Sequence, residues 1–272
     1  FAGETLKNYH PFFDILIAFL SKITFINSSF WLFQLFPLIS AILFLYFSFK
    51  LGEKLSGKFS GGIILMLLNT INNSLGWIVT LFRSGNFNGE SLFWAMQSPS
   101  NQLNPPFMLS ILLILILIYL LTTKNPKKIY LFFLLIFLPI IKVYSAIPAF
   151  IIFGFYVLKN KKYLGTFIFS LFFAAILFFQ YNSSASSLIK FQPFWFINSM
   201  IESPDRLYLP KIANMRYTLE SSGKIGPRLL SYYLGALAVF IIGNFAFRLF
   251  SIKEIFKQKS ILISIIICTL IP

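Results

Sequence analysis

Charge is scarce in this chain. Only 11% of its 272 residues are Asp, Glu, Lys or Arg, against about 25% in a typical soluble domain. Acids are rarer still, eight in all, and there is one histidine and one cysteine. So little charge excludes an ordinary soluble enzyme and a disordered chain, both of which need a polar exterior. A lone Cys268 closes no intrachain disulfide. One histidine with one cysteine supplies no His/Cys metal cluster, and a Ser-His-Asp triad would have to use His10. The glycine motifs G-x-x-x-x-G-K-S/T and G-x-G-x-x-G are absent, as is the G-x-S-x-G turn of hydrolases. Basic residues do not interleave with aromatics on a polar surface, so no nucleic-acid partner is expected.

What is present is apolar. The apolar fraction is 57% and the mean hydropathy is +0.80. The expected fold is all-α, a polytopic transmembrane helical bundle occupying 1–272 as a single transmembrane domain. The 36 phenylalanines accompany abundant Ile, Lys and Asn, all with A/T-rich codons. Codon bias accounts for them without an aromatic binding surface, and Phe serves nearly as well as Leu in lipid. The chain starts at Phe1 and stops at Pro272 within an apolar run, so it reads as a fragment truncated at both ends. Phe1–Asn8 has no signal-peptide pattern.

A spanning helix needs about 20 mostly apolar residues. About eight spanning segments are expected: Phe30–Phe49, Gly61–Phe82, Phe107–Leu121, Ile129–Ile141, Ala146–Leu158, Tyr163–Phe179, Leu229–Phe250 and the start of one at Ile261–Ile271. Pro11–Ile26 is short and carries Asp14 and Lys22. It is expected to lie along the outer interface as an amphipathic helix.

The lysines then set orientation. Lys50, Lys54 and Lys58 share one connection, Lys124, Lys127 and Lys128 another, and Lys159, Lys161 and Lys162 a third. Lys253, Lys257 and Lys259 form a fourth, just after Arg248. These short loops hold more than half of the 23 Lys and Arg residues and fall on one side if every segment crosses once. The positive-inside rule makes that side cytoplasmic. The expectation is an integral protein of a bacterial plasma membrane, with anionic membrane lipids as partners for the net charge of +15. The long connections, Arg83–Pro106 and the extracytoplasmic loop 181–228, face the other side. Loops beyond about 12–15 residues are usually functional, so any chemistry is expected there.

Five polar groups are candidates for that chemistry. Glu4 and His10 precede the short helix that begins at Pro11, where a carboxylate can serve as general base for an acceptor hydroxyl. Asn72 and Asn73 interrupt an apolar segment and must meet other helices, water or sugar hydroxyls. Glu90, Gln97 and Asn104 lie in the first long loop, before Pro105-Pro106 opens a helix. Lys142 and Tyr144 separate two apolar runs, and an ionisable residue at membrane depth is a functional candidate by default. In the second long loop Arg206, Lys211 and Arg216 can embrace a phosphate headgroup, beside an aromatic run at Phe191–Phe196. Each group also has a plain structural reading, as solvated loop, interhelical contact or snorkelling side chain.

The segment order resembles that of polytopic GT-C glycosyltransferases. The features that carry it are Tyr9-His10-Pro11 leading a short helix, a lysine-containing turn after the next segment, paired short helices meeting at Lys142-Val143-Tyr144, and a long later loop. The resemblance implies transfer of a sugar from a polyprenyl-phosphate-type lipid carrier to an acceptor on the extracytoplasmic face. It implies a catalytic acid just after the first spanning helix, expected upstream of Phe1, with Glu4 the nearest acid in this chain. A divalent metal is compatible with this chemistry and required by nothing visible, and no metal ligands are assigned. Two other readings stand beside it. A transporter or flippase would use the Asn-containing segment and the Lys142 junction as discontinuous helices. An envelope glycan ligase or polymerase would share the large outer loop.

Overall fold

Helix boundaries follow local sequence chemistry in the computed structural model, which describes residues 11–70, 78, 81–82, 84–86, 104–181, 195–203, 208–222, 231–235 and 238. Among these residues every regular element is helical and none is a strand. The chain divides into two compact units. One comprises Phe1–Asn69 and Asn101–Lys190, the other Thr70–Ser100 and Phe191–Pro272.

The first unit begins with α1 (Phe12–Thr24), which buries Phe13 and Ile17 and leaves Asp14 exposed. That i, i+4 pair lies on one helix face and packs on Trp31 and Phe36 of the next helix. The Phe13 and Phe36 rings meet edge to face at 4.8 Å. Trp31 Nε1 donates to Thr24 Oγ1 at 2.8 Å, tying the two helices at their turn. The segment expected at an interface is thus a helix of 13 residues, only about 20 Å long.

Helix α2 (Ser28–Ser56) runs 29 residues. Asn27 Oδ1 caps it by accepting from Ser29 N–H at 2.8 Å. A π turn at Trp31–Leu35 lets Phe36 N–H reach back to Trp31 O. Pro37 follows at once and has no N–H to give a regular ladder. The helix stops at Gly57, where φ is +68° and Gly57 N–H donates to Glu53 O at 2.8 Å. Nothing would crowd a Cβ at that position, so the left-handed backbone alone calls for glycine.

Helix α3 (Phe59–Thr70) returns against α2. A Cβ built on Gly52 would sit 2.4 Å from Gly61 O, so the two backbones touch there. Asn69 Nδ2 donates to the buried Ser48 hydroxyl at 3.1 Å, an interhelical contact of the kind anticipated for the asparagines. Of the segment expected at Gly61–Phe82, the described residues give a helix as far as Thr70.

Among the described residues of this unit four further α-helices follow: α4 (Pro105–Leu121), α5 (Lys128–Ile141), α6 (Val143–Lys159) and α7 (Leu164–Tyr181). Their core joins Leu117 of α4 and Leu131, Leu135 and Leu138 of α5 to Ala146, Ala149, Phe153 and Val157 of α6. The two alanines let α6 approach α5 closely. Lys142 is the single residue between α5 and α6, with extended backbone at φ −158°, ψ 116°. Past it α6 folds back along α5: Tyr163 donates to Pro126 O at 3.2 Å, and Lys162 Nζ donates to Asn125 Oδ1 at 2.5 Å.

These contacts give the first unit two chemically distinct ends. At one end Lys54 stands over the Tyr119 ring, 4.8 Å from its centroid, and Lys162 reaches the turn after α4. The three basic connections around Lys54, Lys127 and Lys161 therefore share that end. At the opposite end lie the start of α2, packed on α1, the start of α4, and the Lys142 junction, where Phe12 of α1 meets Phe137 of α5 at 4.8 Å. The fourth basic connection, 253–259, lies outside the described residues.

Between the ends the surface is apolar. Phe33, Leu38 and Ile42 of α2 and Phe169, Phe172 and Phe179 of α7 are all exposed. Two helices, Ser28–Ser56 and Lys161–Gln180, are long and apolar enough to cross a membrane. The apolar stretches at Phe59–Thr70, Pro105–Leu121, Lys128–Ile141 and Val143–Lys159 are shorter. Of the roughly eight spanning segments expected, two among the described residues are long and apolar enough to cross by themselves.

The second unit contains α8 (Trp195–Glu202) and α9 (Pro210–Ser221). Leu209 N–H donates to Ile201 O at 2.8 Å where α9 begins. The segment Ile261–Ile271 and most of Leu229–Phe250 lie outside the described residues.

Candidate functional site

In the first unit the candidate site is the end opposite the lysine-rich connections. Pro105 and Pro106 open α4, where a missing N–H costs nothing. Asn104 Oδ1 caps the helix by accepting from Phe107 N–H at 3.3 Å. One and a half turns on, the Ser110 and Ser145 hydroxyls lie 2.7 Å apart between α4 and α6. They are 0% and 3% exposed. Ser110 donates to Phe107 O at 2.7 Å, which leaves Ser145 to donate to Ser110. This pair fixes the first turn of α6, and so the residues just before it, against α4.

Lys142 sits on that anchored turn. Its N–H donates to Leu138 O at 2.8 Å, closing α5, and its carbonyl accepts from Ser145 N–H at 3.1 Å, opening α6. The side chain is half-buried, and Tyr144 beside it is exposed. Among the described residues no carboxylate lies within ion-pair distance of Lys142. Lys142 is the residue from which a 17-residue helix begins, so its charge and the positive end of that helix dipole belong to the same junction. The arrangement suits an anion held at the end of the helix bundle.

Asn104, Lys142 and Tyr144 thus share one end of one unit, linked through the serine pair. Asn104 is spent on capping and is about 9 Å of helix rise from Ser110. Asp14 lies exposed on α1. The candidates Glu4, His10, Asn72, Asn73, Glu90, Gln97 and Arg206 lie outside the described residues.

The second unit holds Lys211 and Arg216, both on α9. Lys211 is exposed. Arg216 is committed to two carboxylates. Its Nε donates to Glu202 Oε1 at 2.6 Å, and one terminal nitrogen donates to both Glu220 oxygens at 2.8 Å. Tyr217 donates to the other Glu202 oxygen at 2.8 Å. Burial works against the Arg216 charge, but the hydrogen bonds and charges of Glu220 and Glu202 outweigh it and hold the guanidinium above its ordinary pKa. The hydrogen bond to Glu202 likewise raises the Tyr217 phenol. This cluster joins α8 to α9. A guanidinium already shared between two acids has little to offer a phosphate, so the geometry gives Arg216 a structural task.

Ser110, Ser145, Glu202 and Tyr217 were not among the expected site residues. The spacing of Arg216 and Glu220, i and i+4, was a readable signal for part of the cluster. A serine within the apolar run of α4 was a weaker one for the hydroxyl pair. Among the described residues no three His, Cys, Asp or Glu side chains converge on one point. Comparison with known proteins finds no matching family, no matching curated protein and no matching solved structure.

Proposed function

We propose that this chain is part of an integral membrane glycosyltransferase of GT-C type that uses a polyprenyl-phosphate-linked sugar. The observation that carries the reading is Lys142, a cation without a carboxylate partner among the described residues, fixed at the end of the bundle remote from the lysine-rich turns. The short helices cross together with the longer ones, about eight passes in all, and bilayer thinning or snorkelling lysines accommodate their length. Apolar faces such as that of α7 then meet lipid, where in water they would drive association. The shared basic end lies in the cytoplasm and the Lys142 end outside, by the positive-inside rule.

In this reading Lys142 binds the phosphate of the lipid carrier at the level of the headgroups. Its charge is stabilised by that phosphate, and it favours departure of the carrier as phosphate when the sugar moves to an acceptor hydroxyl. A carboxylate takes the hydroxyl proton; Glu4 is this chain's own candidate. Lys211 and Arg206 are further candidate phosphate contacts from the long loop.

The transporter reading loses one of its supports. Lys142 joins two helices that fold back on each other, which differs from an unwound point within one discontinuous span. The deciding experiment reconstitutes the protein in liposomes loaded with a polyprenyl-phosphate sugar. Release of polyprenyl phosphate with glycosylation of an added acceptor is expected. Movement of intact donor between leaflets without cleavage would assign transport instead.

A further inference from the structure

A groove of about 430 Å³ runs along the first unit between α1, α2, α4 and α5. Its wall is wholly apolar, and on α4 it extends from Leu109 to Tyr119 and Leu120. Eleven residues of helix rise span about 16 Å, close to half of the roughly 30 Å hydrocarbon core. Tyr130 and Phe133 line it and are 52% and 45% exposed, so the groove opens sideways at the protein surface. On α5 it runs from Tyr130 at the lysine-rich end to Ile141 beside the Lys142 junction, and its opening is where lipid would stand.

The chemistry at its mouth is specific. Tyr119 and Tyr130, at the lysine-rich end of the groove, each carry a lysine. Lys54 lies 4.8 Å from the Tyr119 centroid, and Lys127 lies 5.6 Å from that of Tyr130. Both lysines are exposed, and among the described residues neither has a carboxylate within ion-pair distance; Lys50 takes Glu53. Two uncompensated ammonium groups therefore frame one end of an apolar trough, with tyrosines at the boundary as in interfacial aromatic belts.

We propose that this groove binds one anionic phospholipid of the cytoplasmic leaflet. An acyl chain lies between α4 and α5, and the phosphate sits between Lys54 and Lys127. The inference rests on the membrane orientation proposed above. It concerns a different ligand, whose phosphate lies at the opposite end of the groove from Lys142. A free phosphate would use the lysines but leave the trough unfilled, and a neutral lipid would fill the trough but ignore the lysines. An anionic phospholipid satisfies both, and the cytoplasmic leaflet supplies it.

The test is native mass spectrometry of the protein ejected from nanodiscs of equal phosphatidylglycerol and phosphatidylcholine. Retention of one phosphatidylglycerol over phosphatidylcholine by about tenfold or more is expected, since each lysine near the surface contributes a several-fold preference. Lys54→Gln with Lys127→Gln should abolish the preference while leaving the fold intact, because both side chains are exposed. Leu113→Trp, which fills the trough, should lower retention of both lipids. Equal retention of the two lipids, or a preference that survives the double glutamine variant, would overturn the proposal. So would tighter retention of an added polyprenyl phosphate at the same lysines. A protein that fails to enter nanodiscs at all contradicts the membrane reading itself. Insertion without lipid preference contradicts only the lipid site.

Discussion

Lys54 of α2 stands over the ring of Tyr119 of α4, 4.8 Å from its centroid, although the two residues are far apart in sequence. The contact places the turn after α2 beside the turn after α4. Lys162, bonded to Asn125, adds the turn after α6. Three lysine-rich connections thus gather at one end, as alternate crossing requires.

Single cysteines at Lys54, Lys127 and Lys161 should accordingly share one accessibility. With Cys268 removed, an impermeant thiol reagent on intact cells is expected to label none of them, and to label all three after permeabilisation. A cysteine at Asn27, at the other end of α2, should label from outside. External labelling of any of the three lysine positions would break the alternation.

The hydroxyl pair of Ser110 and Ser145 predicts a coupled loss. Ser110→Ala leaves Ser145 buried without its partner and should cost about 1–2 kcal/mol. The double alanine variant should cost less than the sum of the singles, because neither hydroxyl is then stranded. Chemical or thermal unfolding in detergent measures both. Strict additivity would remove the pair as the link between α4 and α6.

Arg216→Met should loosen α8 from α9. It removes the cation shared by Glu202 and Glu220, whose side chains are 21% and 39% exposed. Solvent screening at Glu220 keeps the cost at the low end, about 1–2 kcal/mol. Faster amide exchange across 195–221 is the readout, with no change in the first unit. Raised pKa values at Arg216 and Tyr217 mean that the folded state holds these protons more tightly. The Tyr217 contribution is complete below the ordinary tyrosine value of 10.0 and declines as the pH rises past it, while that of Arg216 persists through this range. Exchange in this segment should therefore quicken above about pH 10, and Tyr217→Phe should weaken that dependence.

Close approach of α2 and α3 predicts sensitivity at Gly52. A Cβ there meets the backbone of Gly61, which cannot move aside as a side-chain tip would. Gly52→Val should cost about 1–3 kcal/mol through forced separation of the helices, measured by thermal unfolding. Gly57→Ala tests a different cause at the same turn. Its environment is open, so its cost should come from the positive φ alone and should be smaller.

Some of this was legible in the sequence and some was not. The Lys142 boundary was legible, because a polar residue interrupts two apolar runs and Pro139 shortly before it weakens the ladder of α5. The common end of the lysine turns was legible because charge asymmetry survives without any knowledge of packing. The bounds of α5 and α6 were legible too, because polar residues close both runs: α5 stops at Ile141 before Lys142 and α6 at Lys159 before Asn160. The fold-back at Lys142 puts Ala146 and Ala149 into one core with Leu135 and Leu138, which no local pattern announces. Arg216 looked like a free loop cation because Glu202 lies 14 residues away, and only the pairing of α8 with α9 brings it near.

If Lys142 holds the phosphate of a lipid-linked donor, as proposed, Lys142→Met should lose transfer from polyprenyl-phosphate sugar in liposomes. Met suits lipid better than Lys, so expression and insertion should remain near those of the unaltered protein. A fall in transfer of about tenfold or more is expected, the scale of losing a charged contact of about 1.5–3 kcal/mol, with Lys142→Arg retaining part of the activity. Unaltered transfer with Met at this position would contradict it, leaving Lys142 as a lysine that only reaches for the headgroups.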